Sequence, residues 1–189
     1  RQKTTKQYWT LAVCSVIGLA FLSVWSDLVG HGSGFFSSAD AVQEIANARV
    51  LFLTGLTLST ACYMLIPRML KRFEAGVGAT IAVLSLAATV LFSFPWLLPV
   101  LPTDYLCAAC LLIIGIGYGW LVVHLVCQVA YQGDYSTVVM LLAVSLLAKT
   151  LLTSLINMYG PPLVHVGAAI VSPIFAFLAV VVAQRALDR

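Results

Sequence analysis

The sequence predicts an all-α fold, a polytopic membrane bundle of six transmembrane helices with both ends of the chain in the cytoplasm. Three observations predict it. Of the 189 residues, 61% are hydrophobic and only 9% carry a formal charge, where a soluble domain carries roughly 25%. Six apolar runs approach the ~20 residues that a helix needs to cross the hydrocarbon core. The basic residues fall almost wholly into the segments that six crossings place on one side.

The runs are 8–25, 50–66, 77–94, 105–127, 138–158 and 163–183. The first is followed by the glycine-rich stretch 30–34, and Pro67 stops the second. Pro95, Pro99 and Pro102 separate the third from the fourth, and Gly133 with Asp134 precedes the fifth. Gly160-Pro161-Pro162 turns the chain into the sixth, with proline tolerated at a helix start. Arg1, Lys3 and Lys6 precede the first run, Arg68, Lys71 and Arg72 lie between the second and third, and Arg185 and Arg189 follow the sixth. Basic residues are retained in the cytoplasm, so this pattern predicts a multi-pass protein of the cell membrane with both ends inside. The chain is read as one six-helix domain, an excerpt of a longer protein, whose first partner is the lipid bilayer.

Small residues four apart let helices approach closely in lipid. Gly115 with Gly119, Gly55 with Ser59, and the run Ala168, Ser172, Ala176 have that spacing. A three-plus-three arrangement is compatible with the run count. Pro173 is expected to kink the sixth helix.

Polar residues inside the runs mark the candidate sites. Lys149 lies near the middle of run 138–158, with Ser145, Thr153 and Asn157 on the same helical face. A lysine there costs about 2.5–3.5 kcal/mol on insertion scales, so something compensates it. Four readings are open: it is neutral, it faces a wet cavity that draws an anionic ligand, its counter-ion sits in a second half, or neighbouring helices satisfy it. Trp120, His124, Gln128 and Gln132 form a second stripe on the fourth run, expected to face other helices and to line a ligand cavity. Arg49, Asp27 and Glu44 lie at similar depth near the outer surface and suggest an outer-gate ion pair. His165 reads as an interfacial residue.

Cys107 and Cys110 form a Cys-x-x-Cys on the fourth run, the pattern of a membrane thiol oxidoreductase. Cys14, Cys62 and Cys127 lie toward the other side and cannot act as its second pair. No nucleophile–base pair, metal-ligand cluster, phosphate-binding loop or DNA-binding helix is read in the chain, so no catalytic residue, metal or cofactor is assigned and the segment itself is expected to contact no nucleic acid.

Six helices with inside ends and a basic loop after the second resemble one half of a major facilitator superfamily transporter. The loop, 66–76, departs from the transporter signature, which places a glycine and an aspartate ahead of the basic residues. Trp25, the Phe35-Phe36 loop, and the glycine-rich stretch 115–120 running into Gln128 and Tyr131 resemble the membrane region of LuxR-type helix-turn-helix regulators. That resemblance implies an N-terminal sensory half, with a second six-helix half as partner (in the same chain or a homodimer), a small-molecule ligand, and a DNA-binding domain beyond Arg189. A transporter half and the thiol oxidoreductase are the alternatives.

The topology is checked by cysteine labelling. In a cysteine-free background, a cysteine placed in 33–38 should react with an impermeant thiol reagent added from outside, and one at position 71 should not. The reverse pattern overturns the orientation.

Overall fold

The computed structural model describes residues 5–30, 48–65, 74–130 and 134–188. The helices are α1 (Thr5–Gly30), α2 (Ala48–Leu65), α3 (Glu74–Ser93), α4 (Thr103–Ala130), α5 (Tyr135–Tyr159) and α6 (Pro162–Asp188), with one 3-10 turn at Pro95–Leu97 after α3. There is no strand among the described residues. Five helices are long and apolar enough to cross a membrane. The apolar stretch of α2, Arg49–Leu65, is shorter than those five, and the segments on both sides of it lie outside the described residues. The chain is thus built as a membrane-embedded helical bundle.

The helices run up and down. Gln7 at the start of α1 donates to the Ala186 carbonyl near the end of α6 (3.3 Å), and the Tyr8 hydroxyl donates to Thr137 at the start of α5 (3.3 Å). At the opposite end, Asn157 of α5 meets His165 of α6. Helix α5 begins after Asp134, whose carboxylate accepts hydrogen bonds from Ser136 and Thr137. Those bonds, Ser136's foremost, hold its carboxyl below the usual range.

Helices α1 and α4 are the centre. Helix α1 packs against α6, α5 and α4, and α4 packs against α2 and α3. Exchanging the first three helices for the last three carries the α4–α2 contact onto α1–α5, and α4–α3 onto α1–α6. Three helices per half, in an up-and-down bundle, give the halves opposite senses, the arrangement of an inverted repeat.

The two outer pairings are built differently. At α2–α4, Gly55 lies against the backbone of Leu112 and Ile116, and Gly115 against that of Phe52 and Leu56. A Cβ on Gly115 would stand 3.1 Å from the Gly55 Cα, and one on Gly119 2.9 Å from the Ser59 Cβ. The two small-residue pairs read from the sequence therefore face each other. At α1–α5 the fit is looser. Both outer helices are mostly exposed, with Phe52, Gly55 and Ser59 buried in α2 and Leu141 and Ser145 in α5, but α5 meets α1 less extensively than α2 meets α4, and its outward leucines (Leu146, Leu147, Leu151 and Leu155) are exposed. Helix α6 runs unbroken from Pro162 to Asp188 through the buried Pro173.

Two helix ends extend past the apolar runs by more than a turn. The first run was placed at 8–25, but α1 continues to Gly30 and its apolar stretch reaches Val29. The sixth was placed at 163–183, but α6 continues to Asp188. The Phe35-Phe36 loop and the basic loop 66–73 lie outside the described residues.

Gly115→Val should disrupt the α2–α4 crossing, because the opposing atoms are backbone and cannot yield. Overpacking costs about 1–3 kcal/mol or more, to be read as a lowered unfolding midpoint in mixed micelles. Gly76→Ala, with open space around it, should leave that midpoint unchanged or raise it.

Candidate functional site

An ammonium group in an apolar helix has to be compensated. The Lys149 Nζ lies 2.8 Å from the Asp27 Oδ2, and each side chain keeps just under a third of its surface exposed, at 29% and 28%. Asp27, set just outside the first run, lies in the last turns of α1 and is followed by Leu28 and Val29, both buried, so this end of α1 stays in the bundle.

The two helices are parallel, because Tyr8 meets Thr137 where both begin. From that contact Asp27 is nineteen residues along α1 and Lys149 twelve along α5. The difference of seven residues is about 10 Å of helix rise. The four-carbon lysine stem and the inclination of the helices close it, so the ammonium extends toward the far end of α1.

Helix α4 supplies the third side of the site. The Tyr118 hydroxyl is hydrogen-bonded with the Ser26 side chain, next to Asp27, and lies within the field of both charges. Its ring packs against Trp25 (centroids 6.4 Å apart) and Phe52 of α2 (5.2 Å). Two polar atoms near this group are buried without a hydrogen-bond partner, the Trp25 Nε1 and the Thr153 Oγ1.

The other residues of the α5 stripe divide. Ser145 is buried and its hydroxyl donates to the Leu142 carbonyl (2.8 Å). Asn157 is exposed, with its Oδ1 3.3 Å from the His165 Nε2. His165 itself is buried at 1% exposure, with Nδ1 3.3 Å from the Pro161 carbonyl. It lies in the first turn of α6, under the α5–α6 corner that Gly160 and Pro161 form.

Trp120, His124 and Gln128 are buried in a separate group on α4. Trp120 stacks between His124 (3.9 Å) and Phe177 of α6 (5.6 Å), and Tyr63 of α2 meets His124 edge-on (5.6 Å). Gly78 of α3 receives the indole: a Cβ there would stand 2.8 Å from the Trp120 ring. The His124 Nδ1 donates to the Trp120 carbonyl (2.9 Å), and Gln128 donates to the Val180 carbonyl (3.4 Å). The stripe faces other helices, as its polarity demands, but stacked rings occupy its surroundings. Gln132 lies outside the described residues.

Arg49 is exposed in the first turn of α2, and Glu44 lies outside the described residues. Asp27, grouped with them as a gate, also has Lys149 as a partner. Cys107 and Cys110 are buried, at 0% and 3% exposure, and all five cysteines are free thiols. Among the described residues no three His, Cys, Asp or Glu side chains gather to hold a metal ion.

Sequence reasoning missed Tyr118 and Ser26 as members of the Lys149 group. Ser26 could have been found from its place beside Asp27 once the helix was carried to Val29. Nothing in the linear sequence points to Tyr118, which reaches the pair only through the α1–α4 contact.

No family model, curated protein or solved structure matches the chain.

A double-mutant cycle measures the ion pair. Exposed pairs are worth about 0.2–1 kcal/mol. The Lys149–Asp27 pair is enclosed on three sides, so Lys149→Met, Asp27→Asn and their combination should give a coupling above that range, read from unfolding in mixed micelles. Additive effects would show that the two charges act independently.

Proposed function

We propose that the chain is a membrane-embedded sensory domain, the N-terminal half of a LuxR-type transcriptional regulator of major-facilitator-like architecture. In this reading a small ligand acts at the Lys149–Asp27 group, and both ends of the chain lie in the cytoplasm. The observation that carries it is the ion pair itself: a charge pair across the loosely packed α1–α5 seam, with its groups in partial contact with the surroundings. A purely structural bundle gains nothing from a lysine that an apolar residue could replace, since such replacements of buried pairs are often neutral or stabilising. A bundle that responds to a ligand does gain, because the pair can be exchanged.

The inverted three-plus-three packing and the basic loop after the second run support the major-facilitator-like half. They also favour the second reading, one half of a secondary transporter. The departure of the loop 66–76 from the transporter signature favours sensing. In both readings a second six-helix half is the partner, and the outward leucines of α5 supply an apolar face for it or for lipid.

The reading frame beyond Arg189 separates the two. A second set of six spans followed by a helix-turn-helix domain is the expected content for a regulator. A second set alone makes it a transporter. Within the regulator, Lys149→Met in the full-length protein should leave membrane expression near normal and abolish the transcriptional response, read with a reporter gene. A variant that responds like the parent removes Lys149 from the site.

A further inference from the structure

The α1–α5 seam has two parts. Toward the end where Tyr8 meets Thr137, it opens into a groove of about 480 Å³, lined by Tyr8, Trp9, Val13, Ile17, Met140 and Val144 among others, all apolar or aromatic. Toward the other end it is closed by the Lys149–Asp27 pair. The groove ends at Ile17 on α1 and Val144 on α5, ten residues before Asp27 and five before Lys149, about 15 Å and 7.5 Å of rise. One seam therefore carries an apolar groove and, farther along, a cation.

We infer that this seam is a binding site for a free long-chain carboxylic acid, with its tail in the groove and its carboxylate on Lys149 in place of Asp27. The inference rests on the sensory reading above and names the class of ligand. Charge complementarity selects the head group: the Lys149 ammonium donates, and the carboxylate it would receive matches the one it holds now. A free acid is selected over a phospholipid because a carboxyl group can enter the bundle neutral, whereas a phosphodiester stays charged.

The exchange brings no net charge into the bundle. The acid enters protonated and neutral. Its O–H bond breaks as an O–H bond forms on Asp27, so one proton moves between two carboxyl groups. The new carboxylate takes the ammonium of Lys149, and Asp27, now neutral, leaves it. The α1–α5 contact is then bridged by ligand rather than by a direct ion pair. That is a change in the least buried helix of the bundle, where a small difference in contact moves the element most easily.

The test is photolabelling of the full-length protein in phosphatidylcholine nanodiscs with palmitic acid bearing a terminal diazirine. Labels should map by mass spectrometry to residues 8–17 of α1 and 140–144 of α5. Lys149→Met should cut labelling at least tenfold. Because that variant strands Asp27, the neutral double variant Lys149→Met/Asp27→Asn is tested beside it and should label as poorly. Asp27→Asn alone, freed of the competing carboxylate, should reach half-maximal labelling at several-fold lower acid. The matching fatty alcohol should label weakly. Labels spread over the outer faces of the helices, labelling that ignores Lys149→Met, or weaker labelling in Asp27→Asn overturn the inference. So does competition by phosphatidylglycerol in the disc, which would assign the seam to a membrane lipid. Failure of labelling while Lys149→Met still abolishes the reporter response overturns the ligand class and leaves the sensory reading standing.

Discussion

A lysine ammonium set deep in an apolar helix has to find an anion, a wet cavity or a neutral state. In this bundle it finds Asp27, 2.8 Å away on a parallel helix. Much of the organisation around it follows. Helix α1 has to extend one turn past Trp25 to carry the carboxylate into the bundle, so Leu28 and Val29 are buried. Helix α5 has to lie alongside α1, with Ser145, Lys149 and Thr153 on its inward side and its leucines turned out. Helix α4 closes the third side with Tyr118, whose hydroxyl ties to Ser26.

The bundle joins its outer helices by two kinds of contact. Helix α2 is fixed to α4 by glycines that admit backbone against backbone, a contact with many short-range interactions and no tolerance for an added methyl group. Helix α5 occupies the related position against α1, yet meets it less extensively, and its specific ties are an ion pair and one hydroxyl pair near its start. Packing of the first kind is rigid. An ion pair can be exchanged for another without rebuilding the surfaces around it. The asymmetry between two topologically equivalent joints is the physical reason for assigning response to the α1–α5 seam and scaffolding to the α2–α4 crossing.

The helices themselves were legible in the sequence, because apolar runs of membrane-spanning length admit few other structures. The facing of Gly55 and Ser59 toward Gly115 and Gly119 was foreshadowed by spacing alone. Burial of Trp120, His124 and Gln128 was also legible, since lipid would leave their polar atoms unsatisfied. The partner of Lys149 was not. Hydropathy ended the first run at Trp25 because Ser26 and Asp27 lower the local average, and the two apolar residues after them were too few to restore it. A charged residue that is compensated across a seam looks, in one dimension, like the end of a span. Tyr118 carries no local signal at all, since its role depends on a tertiary contact.

The central claim is that Lys149 is charged and paired with Asp27 in the resting bundle. Rotational-echo solid-state NMR tests it most directly. Lys3, Lys6 and Lys71 are replaced by Arg, so that Lys149 is the only lysine of this segment, and the protein is labelled with 15Nζ-lysine and 13Cγ-aspartate. In lipid bilayers an ammonium-range 15Nζ signal should show strong dephasing by a nearby carboxylate carbon, and Asp27→Asn should remove that dephasing. An amine-range signal, or dephasing that survives Asp27→Asn, would contradict the account.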